Sequence, residues 1–218
     1  MMSRTVCFDT NVLVDLSAVY YNHKEAKQLK RNHYKHYQTL LQILNLIKNE
    51  EIKILVLPMV LFEVAEVSMK NNFRTMEFLE KFRDVIKVVS IKNSKIRRQL
   101  TVIDNLAETY CKESTVMTRK GKKLTFNPVF RNIQNKPAWD AVIMAQATLV
   151  GFPLVTRDWD FLEDHKPVRI RNINNFFVKR DVMPYSCQNF LRELYKVEES
   201  IAVKNSQAVF QDEAMAYV

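Results

Sequence analysis

The sequence predicts an α/β fold, a three-layer α/β/α sandwich around a central, mainly parallel sheet. Three observations predict it. Short apolar, β-branched runs at Thr5 to Phe8, Ile52 to Leu57 and Phe152 to Thr156 alternate with longer segments whose apolar residues recur at helical spacing. Helix punctuation falls between them: Pro58 stands where it can open a helix without losing a hydrogen bond, and Gly151 where a helix can end in a left-handed cap. The 218 residues are 47% hydrophobic and 11% aromatic, enough for one sizeable core and too apolar for a disordered chain.

Each element follows from the residues. Thr5 to Phe8 reads as a buried parallel strand with Asp9 at its C-terminal end, and a short helical turn is expected from Asn11 to Ser17. Leu29, Tyr37, Leu40, Leu41, Leu44 and Ile47 make Lys24 to Glu50 one long amphipathic helix, or two. The second strand, Ile52 to Leu57, feeds a helix from Pro58 that carries Glu63 and Glu66. A helix over Phe73 to Phe82, a strand over Val85 to Ile91 and a helix over Ser94 to Tyr110 continue the alternation. A helix from Ala138 to Val150 precedes the strand that ends at Thr156; Val168 to Ile173 is a candidate last strand and Asn189 to Ala202 a C-terminal helix.

The segment from Lys112 to Lys136 breaks this rhythm. Ser-Thr-Val-Met-Thr118, a turn at Arg119-Lys-Gly-Lys-Lys123 and Leu-Thr-Phe126 suit a β-hairpin, read here as a basic insertion before the third acidic motif. The expected organisation is therefore one domain over 1–180 with an insertion at 112–136, followed by a C-terminal helix and tail over 181–218. Phe190, Leu191, Leu194 and Tyr195 of that helix could pack on the domain or on a partner.

Lys and Arg number 33 against 24 Asp and Glu, a formal charge of +9 and a pI near 9.4. That balance suits a polyanion, and equally a merely soluble basic protein. Cys7, Cys111 and Cys187 are odd in number and scattered, which excludes a disulfide framework or a paired-cysteine zinc site and fits a reducing, cytoplasmic setting. The first apolar run is too short for a secretory leader or a membrane span, so neither export nor a membrane partner is expected.

Acidic residues recur where the strands end. Asp9 closes the first strand, Asp158 and Asp160 follow the last clear one, and Glu63 and Asp140 lie early in helices whose preceding loops open on the same edge. Taken singly each has a plain account: a turn for Asp9, a solvated helix position for Glu63, a helix N-terminus for Asp140, a polar loop for Asp158 and Asp160. Taken together, carboxylates gathered without counter-charge would raise one another's pKa, so the cluster makes physical sense with divalent cations among them. Hard oxygen ligands imply Mg²⁺ or Mn²⁺, one or two ions, and the lack of paired His or Cys argues against zinc.

Four stretches then resemble the PIN-domain nucleases: Val6-Cys-Phe-Asp9-Thr-Asn-Val-Leu-Val-Asp15, Pro58-Met-Val-Leu-Phe-Glu63, Trp139-Asp140-Ala-Val-Ile-Met-Ala-Gln-Ala and Leu154-Val-Thr-Arg-Asp158-Trp-Asp160-Phe. Their order and approximate spacing match as well, over roughly residues 4 to 175. The family has a flap-endonuclease-like metal site and includes toxin-type and RNA-processing ribonucleases. The resemblance implies that Asp9, Glu63, Asp140 and Asp158 are the catalytic metal ligands, with Asp160 an alternate for the last. It also implies supporting roles for Asn11 and Thr156, while Asp15 reads as structural. The implied activity is metal-dependent endoribonucleolytic hydrolysis of RNA phosphodiesters, as the toxin of a toxin–antitoxin pair or as a processing nuclease; an inhibitory, antitoxin-like protein partner and a homodimer are further expectations. The long insertion and the chain beyond Asp181 depart from compact toxin-type members.

Arg119, Lys120, Lys122, Lys123, Arg131 and Arg157 are the candidate phosphate contacts, each with a solvated basic loop as the plain alternative. His23, His33 and His36, among Lys24, Lys27, Lys30, Arg31 and Lys35, could extend that face. Trp139 and Trp159 could stack on unpaired bases, though core burial is the expected role for both. Two other functions compete: a non-catalytic RNA- or protein-binding module of the same fold, and a phosphotransferase using Asp9 as nucleophile. Against the latter stand Asn11 where an acid/base carboxylate would be needed, and the absence of a glycine-rich phosphate loop from a chain with only Gly121 and Gly151.

Overall fold

The computed structural model describes residues 4–71, 74–111, 115–117, 123–125, 139–157 and 184–196. The elements run β1 (Thr5–Phe8), α1 (Thr10–Tyr20), α2 (Lys24–Asn32), α3 (Tyr34–Lys48), β2 (Lys53–Val56), α4 (Pro58–Asn71), α5 (Thr75–Lys81), β3 (Ile86–Val88), α6 (Asn93–Cys111), β4 (Thr115–Met117), β5 (Lys123–Thr125), α7 (Trp139–Val150), β6 (Leu154–Val155) and β7 (Pro184–Tyr185). A last helix, α8, occupies 187–196. The fold is α/β, compatible with three layers.

β3, β2, β1, β6 and β7 form one five-stranded sheet in that order, with every pairing parallel. Cys7 sits between Leu55 on one side and Leu154 on the other, so β1 is the central strand and carries ladders on both edges. Val6, Cys7 and Phe8 are accordingly fully buried, as expected for a strand enclosed on both faces. From β1 the chain steps outward to β2 and β3, then returns to place β6 on the opposite side of β1. The order therefore reverses between β1 and β6, and in open parallel sheets such a reversal leaves a crevice beyond the carboxyl ends of the strands.

One element differs from its sequence-based expectation and several follow it. The turn after Asp9 is a full helix, α1, whose Val12, Leu13, Leu16, Ala18 and Val19 are all buried. Of the two alternatives for Lys24 to Glu50 the structure has the second: α2 ends at Asn32, and His33, at φ −138° and ψ 54°, leaves helical geometry before α3 begins. Gly151 takes φ 77° after α7, where its amide donates to the Ala147 carbonyl. β4 and β5 pair antiparallel, Thr115 with Thr125 and Met117 with Lys123. The candidate strand at 168–173, the connection at 118–122 and most of the basic segment, including Arg119, Lys120, Lys122 and Arg131, lie outside the described residues.

Residues 184–196 pack on the domain, the first of the two alternatives for the C-terminal helix. β7 extends the sheet beyond β6, and Cys187, Phe190, Leu191 and Leu194 of α8 join the core. Phe190 meets Phe8 of the central strand edge-to-face, with 6.1 Å between centroids. Phe190→Ala should thus cost about 3–5 kcal/mol in urea unfolding, the cavity cost of a buried aromatic. Tyr195→Ala, on the 41% exposed side of the same helix, should stay within about 1 kcal/mol. Equal effects of the two would show that α8 is not seated in the core.

Candidate metal centre

The junction between the carboxyl ends of β1 and β6 is built around Asp9. Asp9 follows β1 directly, caps α1 with extended backbone geometry, and is only 5% exposed. Its amide donates to the Val155 carbonyl (2.9 Å), its Oδ1 accepts from the Thr10 amide (2.7 Å), and its Oδ2 accepts from the Thr156 hydroxyl (2.6 Å). One side chain thereby joins the end of β1, the start of α1 and the end of β6. Asn11 repeats the connection one step outward: its Oδ1 accepts from the Arg157 amide at 3.0 Å.

Glu63 reaches the same place from β2. Pro58 starts α4 at the carboxyl end of that strand, which puts Glu63 early in a helix leaving the edge where Asp9 lies. The Thr10 hydroxyl donates to Glu63 Oε2 at 2.5 Å, so a single residue touches both carboxylates, Asp9 through its amide and Glu63 through its hydroxyl. Sequence reasoning passed over Thr10; the available signal was a hydroxyl in the first helical position directly after the acidic residue. Burial is the largest cause holding the Glu63 carboxyl above its ordinary value; the Thr10 hydrogen bond opposes it, and the charges of Asp9 and Glu66 add to the rise.

α7 brings the third acidic stretch towards α4. Its Gln146 Oε1 accepts from the Met59 amide at 3.0 Å, and its first residue, Trp139, meets Phe62 edge-to-face at 5.5 Å between centroids. Asp140 is the next residue of that helix and Phe62 immediately precedes Glu63. Trp139 is 43% exposed, which corrects the expectation that it is buried in the core. The side chain of Asp140, and Asp158, Trp159 and Asp160 altogether, lie outside the described residues. Among the described residues no three His, Cys, Asp or Glu side chains group into a ligand set; Asp9 and Glu63 meet as a pair.

Arg157 has a second attachment. Its guanidinium pairs with Asp15 Oδ2 at 2.8 Å, and His36 Nε2 approaches the same oxygen at 3.1 Å, tying β6 and α3 to the buried face of α1. Asp15 is thus a structural anchor, and Arg157, a candidate phosphate contact, has one face committed to it while 47% of its side chain stays exposed. A cleft of about 420 Å³ is lined by this pair together with Glu25 and His33. Cys7 and Cys187 are buried thiols whose pKa values are pushed up to about 12, chiefly by burial, so neither offers a thiolate near neutral pH.

The donor set fits a hard divalent cation. Two carboxylates share one edge, burial first and then the neighbouring charges raise the proton affinity of Glu63, and the groups that position them are hydroxyls and amides. Neither family models nor curated proteins yield a match to this chain. The PIN-domain likeness accordingly rests on the four motifs.

The raised Glu63 pKa fixes a sign. The native state holds that proton more tightly than the unfolded chain, so its contribution to stability is full below the ordinary value of 4.5 and is lost as pH rises through the folded value. Glu63→Gln, which can still accept from Thr10, should be at least as stable as the parent near neutral pH in EDTA, with the difference closing below about pH 4.5. Mn²⁺ should raise the melting temperature of the parent and not of the variant. A variant less stable than the parent at every pH would contradict the raised Glu63 pKa.

Proposed function

We propose that this protein is a divalent-metal-dependent endoribonuclease with a PIN-like fold, hydrolysing RNA phosphodiester bonds. The observation that carries the proposal is the meeting of Asp9 and Glu63 through Thr10, beside the point where strand order reverses. Asp9, Glu63, Asp140 and Asp158 are the proposed ligands of Mg²⁺ or Mn²⁺, with Asp160 the alternate for the fourth. Bound there, the metal would supply Lewis-acid activation of water and neutralise charge developing at the phosphate.

The chain's own groups do the positioning. Thr156 and the Thr10 amide hold the two Asp9 oxygens in fixed directions, and the Thr10 hydroxyl does the same for Glu63. Such orientation limits the reorganisation needed when substrate arrives. Asn11 secures the exit from β6 that leads to Asp158. Arg119, Lys120, Lys122, Lys123 and Arg131 of the basic segment, read as a hairpin insertion, are proposed to neutralise backbone phosphates, with the exposed part of Arg157 beside the metal centre. A toxin or RNA-processing role in the cytoplasm, with an inhibitory protein partner, belongs to the same proposal. Among the described residues no helix is long and apolar enough to cross a membrane.

Purified protein should cut single-stranded RNA with Mn²⁺ or Mg²⁺ and stop in EDTA, with structured RNA and DNA of matched length as the comparison substrates. Asp9→Asn should lower the cleavage rate by roughly 100-fold or more while binding persists. Thr156→Val, which removes only the hydroxyl on Asp9, should lower it by about 10- to 100-fold. Cleavage undiminished in Asp9→Asn would remove this site from the reaction. Binding measured in EDTA should weaken steeply with salt, and less steeply once Lys120, Lys122 and Lys123 are replaced together by alanine.

A further inference from the structure

Two aromatic rings stand in solvent at the rim of the candidate centre. Phe62 is 58% exposed and Trp139 43% exposed, and they face each other edge-to-face at 5.5 Å. Their placement follows from the topology. α4 leaves the carboxyl end of β2, and α7 runs back to the amino end of β6, so its first turn lies at the carboxyl edge. Phe62 precedes Glu63 and Trp139 precedes Asp140, so the ring pair sits one residue from each of two proposed ligands.

The surroundings select the occupant. Exposed Lys92, Lys95, Arg97 and Arg98 lie where α6 leaves the same edge after β3, and α6 packs on α7. Along α4 the apolar surface is narrow and interrupted: after Phe62 the i+3 position is the small Ala65 and the i+4 position is Glu66, paired with Lys70, before the 80% exposed Met69. A partner helix would need that stripe at i, i+3, i+4 and i+7. A small π surface on an edge that also carries exposed cations instead matches a polyanion that carries aromatic bases, with the bases free of a duplex.

We infer that Phe62 and Trp139 form a stacking platform for an unpaired nucleobase beside the phosphodiester to be cut, which restricts the chain to single-stranded stretches. The position relative to the cut bond rests on the nuclease reading; the platform itself does not. In a duplex the bases are already stacked and their faces are out of reach, so the rings add affinity only for unpaired strands.

The test is fluorescence-anisotropy binding of labelled oligoribonucleotides in EDTA, where no hydrolysis intervenes, with melting curves confirming that each variant is folded. Trp139→Ala and Phe62→Ala should each weaken single-strand binding by about 5- to 100-fold and leave duplex binding unchanged, while Trp139→Phe keeps most of the affinity. Abasic positions scanned along the strand should weaken binding to the parent protein at one register and have no further effect on Trp139→Ala. The inference is overturned if folded Trp139→Ala binds single strands like the parent, if single-strand and duplex affinity fall together, or if the parent does not bind single strands. It is equally overturned if the substitutions change only the sedimentation state, which would make the rings a contact between copies. Cleavage in Mn²⁺ is read separately: a parent that binds through the rings without cutting would refute the nuclease reading and leave the platform standing.

Discussion

Asp9 is the residue on which three elements close. Its amide belongs to the β1–β6 junction, its two carboxylate oxygens are held by the end of β6 and the start of α1, and its carbonyl accepts the first amides of that helix, from Val12 and Leu13. Nearly all of it is buried, so it is held by geometry and does not wander in solvent. A carboxylate fixed this way meets Glu63 in a defined relation, and the cost of two negative groups at one edge is carried by the fold. Where a parallel sheet reverses its strand order, helices diverge and leave room. This chain places its acidic pair there.

The second network, Asp15 with Arg157 and His36, explains why the first can be so constrained. It pins α1 from behind to β6 and to α3, with the carboxylate nearly buried and the guanidinium half in solvent. Asp15 has its cation within the fold, whereas Glu63, raised by burial and by its acidic neighbours, gains from a cation brought from outside. Asp15 on α1 and Glu63 on α4 thus meet opposite environments. That contrast separates an anchor from a candidate ligand.

Much of the fold was legible because its signals are local. β-branched runs marked β1, β2 and β6, and Pro58 and Gly151 marked a helix start and a helix end that the structure retains. The break at His33 was open because apolar spacing continues across it, and only backbone geometry shows the interruption. α1 was read short because its apolar residues run nearly all round, without the stripe that signals an amphipathic helix. The partners of α8 depend on contacts between distant segments, Phe190 with Phe8 above all, and no local pattern reports those. In the site, the acidic residues stood out by type and by position after strands. Thr10 did not, since a hydroxyl bridging two carboxylates is visible only in space, and Trp139 was assigned to the core because aromatic residues in apolar surroundings usually go there.

Whether the Asp9 and Glu63 carboxylates bind one divalent ion at the end of the central strand decides the function of the site. Anomalous diffraction from crystals grown with Mn²⁺ measures this most directly. The expected result is a manganese peak within about 2.0–2.3 Å of an oxygen from each of the two side chains, with other acidic side chains or water completing the shell. Crystals that show manganese elsewhere and none between these carboxylates, at saturating metal and neutral pH, would contradict the account.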